Sequence, residues 1–333
     1  MENSDIIILA PLQGFTDVTY RNVWAGHFSG IDEAIAPFIS TMGQQRLKPS
    51  RIKDVDPKKN QNLFVIPQIL GNVAKDFIFL ANHLYKMGHK RINWNLGCPH
   101  SKIAKKSRGS GLLLYPEKID DLLTQIIPNI SASLSVKIRL GRKTKDEIFD
   151  LLTMFDRHPL EEIILHPRTG TQMYTGTADH NAFGNAIQKS RHTFTYNGDI
   201  TDKSSFEFIK NQFPNVKRFM IGRGILANPF LAEDIKQDIK GFQKNSQDRL
   251  IRLKAFHDEL YFEYNKIFSG PGHLTGRMKG FWSFLGPSFK GSKKHLKKIL
   301  KSTSIQGYEK QVNSFFDQNF EFSPGVKPSP NGT

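Results

Sequence analysis

The chain of 333 residues is long enough for a large α/β domain followed by a smaller one. Its hydrophobic content of 38% supports a substantial core, but no stretch has the roughly 18 consecutive apolar residues of a membrane-spanning helix. The formal net charge of +16 favours a polyanionic partner, of which nucleic acid is the commonest; a surface kept soluble by charge is the plainer alternative. The acidic, polar start does not resemble a signal peptide, and a single cysteine excludes an internal disulfide. We therefore expect a cytoplasmic protein without a membrane partner.

Short runs of β-forming residues alternate with helical patterns along the first two thirds of the chain. Eight strands are predicted, at Ile6–Ala10, Glu33–Pro37, Leu63–Leu70, Arg91–Leu96, Leu134–Leu140, Glu162–His166, Thr193–Asn197 and Arg218–Ile221. Helices are predicted between several of them, at Val73–Met87, Pro116–Pro128, Lys145–His158 and Lys203–Gln212. This alternation implies parallel strands, and eight units within residues 6–221 predict a TIM (β/α)8 barrel. The alternative, a doubly wound sheet, normally has a Gly-x-Gly-x-x-Gly turn after its first strand, and that spacing is missing here.

The alternation stops after Pro229, and helical patterns follow. They lie at Gln247–Phe268, Thr275–Leu285, Lys293–Ser302 and Gly307–Phe316. We predict a catalytic barrel over residues 1–240, a small helical domain over residues 241–320 and a disordered tail, rich in Pro, Ser and Gly, over residues 321–333.

The positive charge is concentrated near the C-terminus. Residues 241–333 hold 15 Lys/Arg and seven Asp/Glu, and the segment from Gly276 to Lys301 has eight basic residues and no acidic one. Four aromatic residues are interleaved with them: Phe281, Trp282, Phe284 and Phe289. The segment 293–301 fits an amphipathic helix with Leu296, Ile299 and Leu300 inward and lysines outward. The pattern favours a phosphate-binding surface over a plain solvated face, and the basic residues assigned to it are Arg277, Lys279, Lys293, Lys294, Lys297 and Lys298.

Cys98 follows the predicted strand Arg91–Leu96 directly and lies between Gly97 and Pro99. A thiol at the C-terminal end of a parallel strand lies where such folds bind their ligands, which favours a reactive role. A small buried hydrophobic side chain is the alternative, and the local sequence does not decide between them.

Other polar residues and glycines occur at the same ends of the predicted strands. They are Pro11, Leu12 and Gln13 after the first strand, Gln68 in the third, Asn95 in the fourth, Lys137 and Arg139 in the fifth, His166 and Arg168 after the sixth, Asn197, Gly198 and Asp199 after the seventh, and Gly222 and Arg223 after the eighth. Each is a weak signal alone, because a lone lysine, histidine or Asn-Gly-Asp turn is usually structural. Their convergence on one rim predicts an active site there, which moves the balance for Cys98 towards function.

The residue types on this rim favour a phosphorylated, planar, redox-active cofactor. The glycines after the seventh and eighth strands match the usual phosphate site of a barrel, where backbone N–H groups hold the anion. Lys137 can place positive charge beside an electron-rich ring, and Gln68 can hydrogen-bond an amide-like edge. FMN fits these features better than a sugar phosphate, and no metal site is predicted.

The same residues carry a resemblance to a known family. The segments are Ala10-Pro-Leu-Gln-Gly-Phe-Thr-Asp17, Asn93-Trp-Asn-Leu-Gly-Cys-Pro99, Gly109-Ser-Gly-Leu-Leu113, Val136-Lys-Ile-Arg139, His166-Pro-Arg-Thr169 with Gln172, Tyr174 and Gly176, Asn197-Gly-Asp199, and Gly222-Arg223. In this order they resemble the FMN-dependent tRNA-dihydrouridine synthases. The departures are small, with Leu12 where methionine is common and Pro167 where glycine is common, and neither removes a group needed for chemistry.

The resemblance implies an enzyme that reduces the C5–C6 double bond of a specific uridine in tRNA, in the D-loop, with hydride from FMN that NADPH has reduced. It implies that Cys98 is the general acid that protonates C5, because a thiol stays protonated at neutral pH. By the same analogy Asn95 and Arg168 hydrogen-bond the uracil edge and Arg139 holds the base or its oxyanion. The uridine has to leave the folded tRNA to reach the site, and the C-terminal lysines orient the tRNA.

Two alternatives remain. An FMN-dependent barrel reductase of a small molecule, similar to dihydroorotate dehydrogenase or an enone reductase, shares the cofactor residues but has no use for a basic helical domain. A catalytically silent RNA-binding protein predicts a colourless preparation that tolerates loss of Cys98. No protein partner is implied by the sequence.

Overall fold

The computed structural model describes residues 5–236 and 246–325. Its strands all run parallel in one sheet. They are β1 (Ile6–Leu9), β2 (Glu33–Ile35), β3 (Ile39–Ser40), β4 (Phe64–Ile66), β5 (Gln68–Leu70), β6 (Arg91–Leu96), β7 (Ser133–Arg139), β8 (Ile163–His166), β9 (Phe194–Asn197) and β10 (Arg218–Ile221).

The structure has ten strands and not the eight expected: the expected third strand is divided in two, and β3, beyond the end of the expected second strand, was not predicted. Pro37 separates β2 from β3, and Pro67 separates β4 from β5, because proline has no N–H to give to a strand ladder. The sheet order is β3-β5-β6-β7-β8-β9-β10-β1-β2-β4. Its two ends meet at one chain segment, since β4 and β5 follow each other around Pro67, whose carbonyl accepts a hydrogen bond from Asn93 N at 2.9 Å. The predicted TIM barrel is confirmed.

Helices alternate with these strands and then continue alone. They are α1 (Val18–His27), α2 (Pro49–Ile52), α3 (Ala74–Lys86), α4 (Ser101–Ala104), α5 (Pro116–Ile126), α6 (Glu147–Phe155), α7 (His180–Lys189), α8 (Lys203–Gln212), α9 (Arg223–Ala227), α10 (Leu231–Lys236), α11 (Ser246–Asn265), α12 (Pro271–Leu285), α13 (Lys293–Lys301) and α14 (Ile305–Phe316). None of the helices in the described ranges is long and apolar enough to cross a bilayer.

Period-two alternation sorts the side chains of the strands. In β6, Ile92, Trp94 and Leu96 join the apolar layer beneath the helices, whereas Asn93 and Asn95 bond to polar side chains of neighbouring strands inside the barrel. A separate apolar cluster fills the middle of the barrel, formed by Ile8, Ala10, Ile35, Ile66, Ile164 and Met220. The barrel is therefore a packed core and not a pore.

An ion-pair network closes the barrel at the N-terminal ends of the strands. Glu162, 2% exposed, accepts hydrogen bonds from Arg218 Nε at 2.8 Å and from Thr195 Oγ1 at 2.6 Å. Arg218 also binds Glu33 at 2.6 Å, and Arg91 binds Glu33 at 2.6 Å. The carboxylates and guanidinium groups thus neutralise one another where water is largely excluded.

The helical C-terminal region packs on the barrel through aromatic rings and a few ionic contacts. The helix α11 lies against α1, where Tyr20 meets Phe256 edge-on at 6.0 Å and stacks on Phe281 of α12 at 5.3 Å. The predicted amphipathic helix is present as α13, with Ile299 buried and its lysines exposed. The four interleaved aromatic residues, Phe281, Trp282, Phe284 and Phe289, are buried instead of lining a nucleic-acid surface, because they form the core of this region.

The predicted boundary at residue 240 and residues 326–333 of the predicted tail lie outside the described residues. Residues 323–325 have no regular secondary structure, although Ser323 N donates to Ser288 O at 2.7 Å. The division into domains stays a prediction.

We expect Glu162→Ala to lower the free energy of unfolding by about 3 kcal/mol, because it leaves the half-buried Arg218 without one of its two carboxylates. Urea denaturation followed by circular dichroism measures the change. The matched control is Glu207→Ala, which removes a solvent-exposed pair with Lys203 at 3.9 Å and is expected to cost about 0.5 kcal/mol or less. Equal losses in both variants would contradict a stabilising role for the buried network.

Candidate active site

Two adjoining cavities open at the C-terminal ends of the barrel strands. The first has a volume of about 460 Å³ and lies over β8, β9 and β10, and the second has a volume of about 280 Å³ and lies over β6 and β7. They share six lining residues: Pro11, Leu12, Lys137, His166, Tyr174 and Arg223. Together they form one cleft whose size suits an extended ligand in the first cavity beside a smaller one in the second.

Backbone segments in the wall of the first cavity pack very closely against one another. A Cβ on Gly224 would lie 2.1 Å from Ile200 O, so only glycine fits there. Asp199 adopts a positive φ of 43°, and its carboxylate accepts hydrogen bonds from Ala178 N at 3.0 Å and from Arg168 Nη2 at 2.6 Å. These contacts hold the turns after β9 and β10 in place, with Gly198 and Gly222 on the cavity wall.

The electrostatics of the cleft favour an anionic ligand. Desolvation and the nearby Arg139 lower the pKa of Lys137 to about 7, and no carboxylate among the described residues forms an ion pair with this lysine. Burial, followed by Arg139 and Lys137, also lowers the pKa of His166 well below its ordinary value, so its imidazole is neutral. A bound anion would relieve the repulsion between Lys137 and Arg139.

The second cavity contains Cys98, which a relay of buried amides positions. Gln68 Nε2 donates to Asn93 Oδ1 at 2.7 Å, and Asn95 Nδ2 donates to Gln68 Oε1 at 2.7 Å. Asn95 Oδ1 in turn accepts hydrogen bonds from Gly97 N at 3.2 Å and from Cys98 N at 2.9 Å. The relay links the loop after β6 to the barrel interior and fixes the point at which the thiol enters the cavity.

The following segment supports the cysteine from behind. Ser110 donates to Cys98 O through its N–H at 3.0 Å and its hydroxyl at 2.9 Å. Gly109 has a φ of +55°, and a Cβ on it would lie 2.9 Å from the Cβ of Cys98. A side chain at position 109 would therefore push the thiol out of place. Arg142 ties the two segments together through Pro99 O at 3.2 Å and Ser110 Oγ at 3.0 Å.

The Cys98 thiol is kept protonated. Burial raises its pKa, and this effect outweighs a backbone hydrogen bond from His100 and the nearby positive charges of Arg139 and Lys137, which lower it. A thiol in this state can donate a proton but is a poor nucleophile.

Arg139 is almost completely buried at the floor of the second cavity. Its guanidinium donates to Gly97 O at 2.9 Å, Thr169 O at 2.8 Å and Met173 O at 2.6 Å, and it lies 5.3 Å from the centre of the Tyr174 ring. Burial lowers its pKa to about 10, so it keeps its charge at neutral pH.

The structure brings most of the predicted rim residues to this cleft. The ones that line it are Pro11, Leu12, Gln13, Asn95, Cys98, Lys137, Arg139, His166, Arg168, Asn197, Gly198, Asp199, Gly222 and Arg223. Gln68 is fully buried below it with its amide in the relay, so a contact between Gln68 and a cofactor stays a prediction. Arg168 lines the first cavity and not the one that contains Cys98, and it bonds Thr175 O, Gly176 O, His166 and Asp199.

The predicted nucleic-acid residues lie in two different settings. Lys293, Lys294, Lys297 and Lys298 project from α13 into solvent. Arg277, in contrast, binds the carbonyl of Gly14 and, at 3.0 Å, the carboxylate of Asp17, and Lys279 donates to Ser302 O at 2.9 Å. Arg277 and Lys279 thus make their contacts within the protein.

Four aromatic residues of the second cavity were not predicted from the sequence as site residues: Phe15, Phe38, Tyr174 and Phe284. Tyr174 lies between Arg139 and Arg223, with the Arg223 guanidinium 4.8 Å from its ring centre. Tyr174 belongs to one of the segments that carry the family resemblance, but the sequence of that segment does not reveal which way the ring points. Phe284 comes from α12 and meets Phe15 at 5.1 Å, and no local signal distinguishes it from the other core aromatic residues of its helix.

Comparison with known proteins identifies the family of this site. Residues 8–307 match the profile described as dihydrouridine synthase (Dus). A protein of Staphylococcus epidermidis named "Probable tRNA-dihydrouridine synthase" is 30% identical over 272 residues, which cover 78% of each chain. The chain belongs to the dihydrouridine synthase family.

A second relative supports the same assignment. The tRNA-dihydrouridine synthase B of Pasteurella multocida is 26% identical over 227 residues, covering 68% of this chain and 67% of that one. This dihydrouridine synthase family member is thus an oxidoreductase that acts on a CH–CH bond, as the resemblance in the sequence predicted. The small-molecule and catalytically silent alternatives are not supported.

Solved structures show the likeness of the fold. A 2-naphthoyl-CoA reductase covers 69% of the chain with a TM-score of 0.53 and 10% identity, and a histamine dehydrogenase from Rhizobium gives the same three values. The match covers 49% and 45% of those longer chains. At this identity the comparison supports the barrel alone.

We expect the Cys98 thiol to react slowly with iodoacetamide at pH 7, and its reaction to increase only above about pH 8.5, the ordinary pKa of a cysteine, because burial raises its pKa. Mass spectrometry of the alkylated protein across a pH series measures this, and the signal is clean because Cys98 is the only cysteine. The denatured protein is the control. If the pH at which alkylation is half-maximal were at or below that of the denatured chain, the neighbouring cations, and not burial, would determine the thiol pKa.

Proposed function

We propose that this family member reduces the C5–C6 double bond of a uridine in tRNA, with FMN as the bound cofactor and NADPH as the reductant. The observation that carries the proposal is the placement of a protonated thiol, Cys98, in a base-sized cavity that adjoins a cationic, glycine-walled cavity. The names of the relatives support tRNA as the substrate, and such a substrate fits a cytoplasmic enzyme.

The residues of the first cavity fit a flavin phosphate. Backbone at Gly198, Gly222 and Arg223 can surround the phosphate, and Arg223 adds a positive charge. Lys137, whose charge no carboxylate of the described chain balances, stands at the junction of the two cavities, where it can stabilise negative charge on a reduced isoalloxazine. A reduced flavin bound there would supply hydride to C6 of the uracil ring.

The residues of the second cavity fit the remaining half of the reaction. Addition of hydride at C6 leaves negative charge on C5 and O4, which needs a proton and a positive neighbour. Cys98 supplies the proton to C5, and Arg139, fixed by three backbone carbonyls, stabilises the oxyanion. Asn95 orients the Cys98 loop through its Oδ1, and its Nδ2, which gives one hydrogen to Gln68, has a second hydrogen that can donate to the uracil edge.

For Arg168 we propose a role other than the contact with uracil that the resemblance implies. Its guanidinium joins the segment around Gly176, the neutral imidazole of His166 and the carboxylate of Asp199. We assign it as a positioning residue that shapes the first cavity, because it does not line the cavity of Cys98.

The RNA surface is provided by the lysines of α13. They are exposed and lie on one face of the helix, which suits contacts to the phosphate backbone. Arg277 and Lys279 hold this region in place instead. Arg277 connects α12 to the β1–α1 loop that lines the cleft, so it fixes the relation between the RNA surface and the active site.

The proposal is tested with tRNA that lacks dihydrouridine, incubated with the purified protein, FMN and NADPH. We expect dihydrouridine at one position, detected by mass spectrometry of digested tRNA, and a yellow protein that releases FMN on denaturation. Cys98→Ala is expected to keep flavin and tRNA binding and to lose about 100-fold or more in rate, because the general acid is gone. A protein that cannot bind flavin, or full activity of Cys98→Ala, would contradict the assigned chemistry.

Replacing Lys293, Lys294, Lys297 and Lys298 with Gln is expected to weaken tRNA binding and to reduce its salt dependence. The slope of the logarithm of the binding constant against the logarithm of the salt concentration should become shallower by about one unit for each phosphate that the protein no longer neutralises. Filter binding at several salt concentrations measures both the affinity and the slope.

The matched control removes the same charge from exposed lysines elsewhere on the barrel: Lys86, Lys118, Lys189 and Lys217. Equal effects in the two quadruple variants would show that net charge, and not the α13 surface, governs binding.

A further inference from the structure

A third cavity, with a volume of about 460 Å³, adjoins the cavity of Cys98, and neither Cys98 nor Lys137 lines it. The two cavities share Gln13 and Phe38 as lining residues, so they are direct neighbours on the surface of the cleft. The remaining walls of the third cavity come from the β1–α1 loop, the segment around β3 and α2, and Arg277 of α12. It thus lies between the catalytic rim and the helical C-terminal region.

Phe38 is an aromatic residue that lines both cavities. It lies between Pro37 and β3, at a position where the strand is interrupted, and it is only partly buried. An aromatic side chain at the edge of a nucleotide-sized cavity offers a face on which a base can stack.

The polar walls of the third cavity leave positive charge available. Its two carboxylates are already neutralised, Asp17 by Arg277 at 3.0 Å and Asp54 by the buried Arg21 at 3.2 Å. Arg51 is exposed and makes one long hydrogen bond of 3.4 Å to Ser40 O, and no carboxylate of the described chain forms an ion pair with it. Its guanidinium is therefore free to bind a phosphate.

We propose that this cavity binds the nucleotide next to the target uridine, with the base on Phe38 and the phosphate on Arg51. The proposal rests on the proposed function. The cavity of Cys98, at about 280 Å³, has room for one base, so an RNA chain whose uridine enters it has to continue outside. The third cavity is the adjoining space with an aromatic face and an uncommitted guanidinium.

The hydroxyls of Ser40 and Ser50 add recognition that suits RNA. Both residues line the third cavity, and a hydroxyl can donate to or accept from a base edge or a ribose 2′-OH. The enzyme would then read the identity or the flexibility of a neighbouring nucleotide in addition to the uridine itself, which makes Phe38 and Arg51 specificity-determining residues.

The test combines Phe38→Ala with RNA that lacks one base. Three hairpin substrates carry the target uridine: one intact, one abasic at the 5′ neighbour and one abasic at the 3′ neighbour. We expect Phe38→Ala to lower kcat/KM on intact RNA by about tenfold, in the range of base–aromatic stacking. On one of the two abasic RNAs, which lacks the base that stacks, we expect the variant and the unchanged protein to have the same kcat/KM. Phe38→Trp keeps a stacking face and is expected to restore activity.

Two controls make the outcome decisive. Phe208→Ala removes an equally large, exposed ring from the outer helix α8 and is expected to leave kcat/KM unchanged on all substrates. Arg51→Gln, at an exposed position where folding is not at risk, is expected to raise KM several-fold with kcat unchanged. A loss in Phe38→Ala that is the same on all three RNAs, or no loss in either variant, would overturn the proposal.

Failure of the proposed function has a different signature. In that case the unchanged protein would reduce none of the three RNAs. A free-nucleotide site is distinguished by adding UMP or AMP as competitors: strong inhibition that depends on Phe38 and Arg51, without any dependence on the neighbouring base in RNA, would assign the cavity to a free nucleotide and overturn the RNA subsite.

Discussion

The closed parallel barrel imposes the constraint on which the rest of the molecule depends: every second residue of each strand has to point inside. The interior therefore has to accept whatever side chains the sequence places at those positions. Here they form three levels, with the ion pairs of Glu162 and Arg218 at one end, an apolar cluster in the middle and polar or charged groups at the other end. The level at the C-terminal end is the proposed active site, because there the interior meets solvent and can admit a ligand.

The charges at that level favour an anionic ligand in the proposed site. Lys137, Arg139, Arg168 and Arg223 converge on the cleft, and Asp199 is the carboxylate that pairs with two of them. Taking cations out of water without enough opposite charge is unfavourable, and the lowered pKa values of Lys137 and Arg139 express this cost. A phosphate and a developing oxyanion supply the missing negative charge, so the binding of such ligands offsets the cost of burying the cations.

The sequence predicts the barrel and most of its rim because both follow from local patterns. The alternation of strands and helices is readable over short windows, and the end of a strand marks the place of its polar residue. What it does not predict depends on distant parts of the chain. Gln68 and Arg168 lie as expected along the sequence, yet no local pattern shows that they hydrogen-bond Asn93, Asn95 and Asp199. Local patterns also do not show that Pro67 divides a strand or that β3 follows Pro37.

The C-terminal region shows why charge counting identifies a partner but not its contacts. Arg277 and the lysines of α13 are indistinguishable by charge, but Arg277 carries its charge inward to Asp17, and the aromatic residues around it form a core. One of them, Phe284, reaches the cavity of Cys98 through Phe15. The helical region therefore contributes to the wall of this cavity as well as carrying the exposed lysines of α13. Since Arg277 and Phe284 belong to the same helix, α12 joins the helical region both to the β1–α1 loop and to the cavity of Cys98.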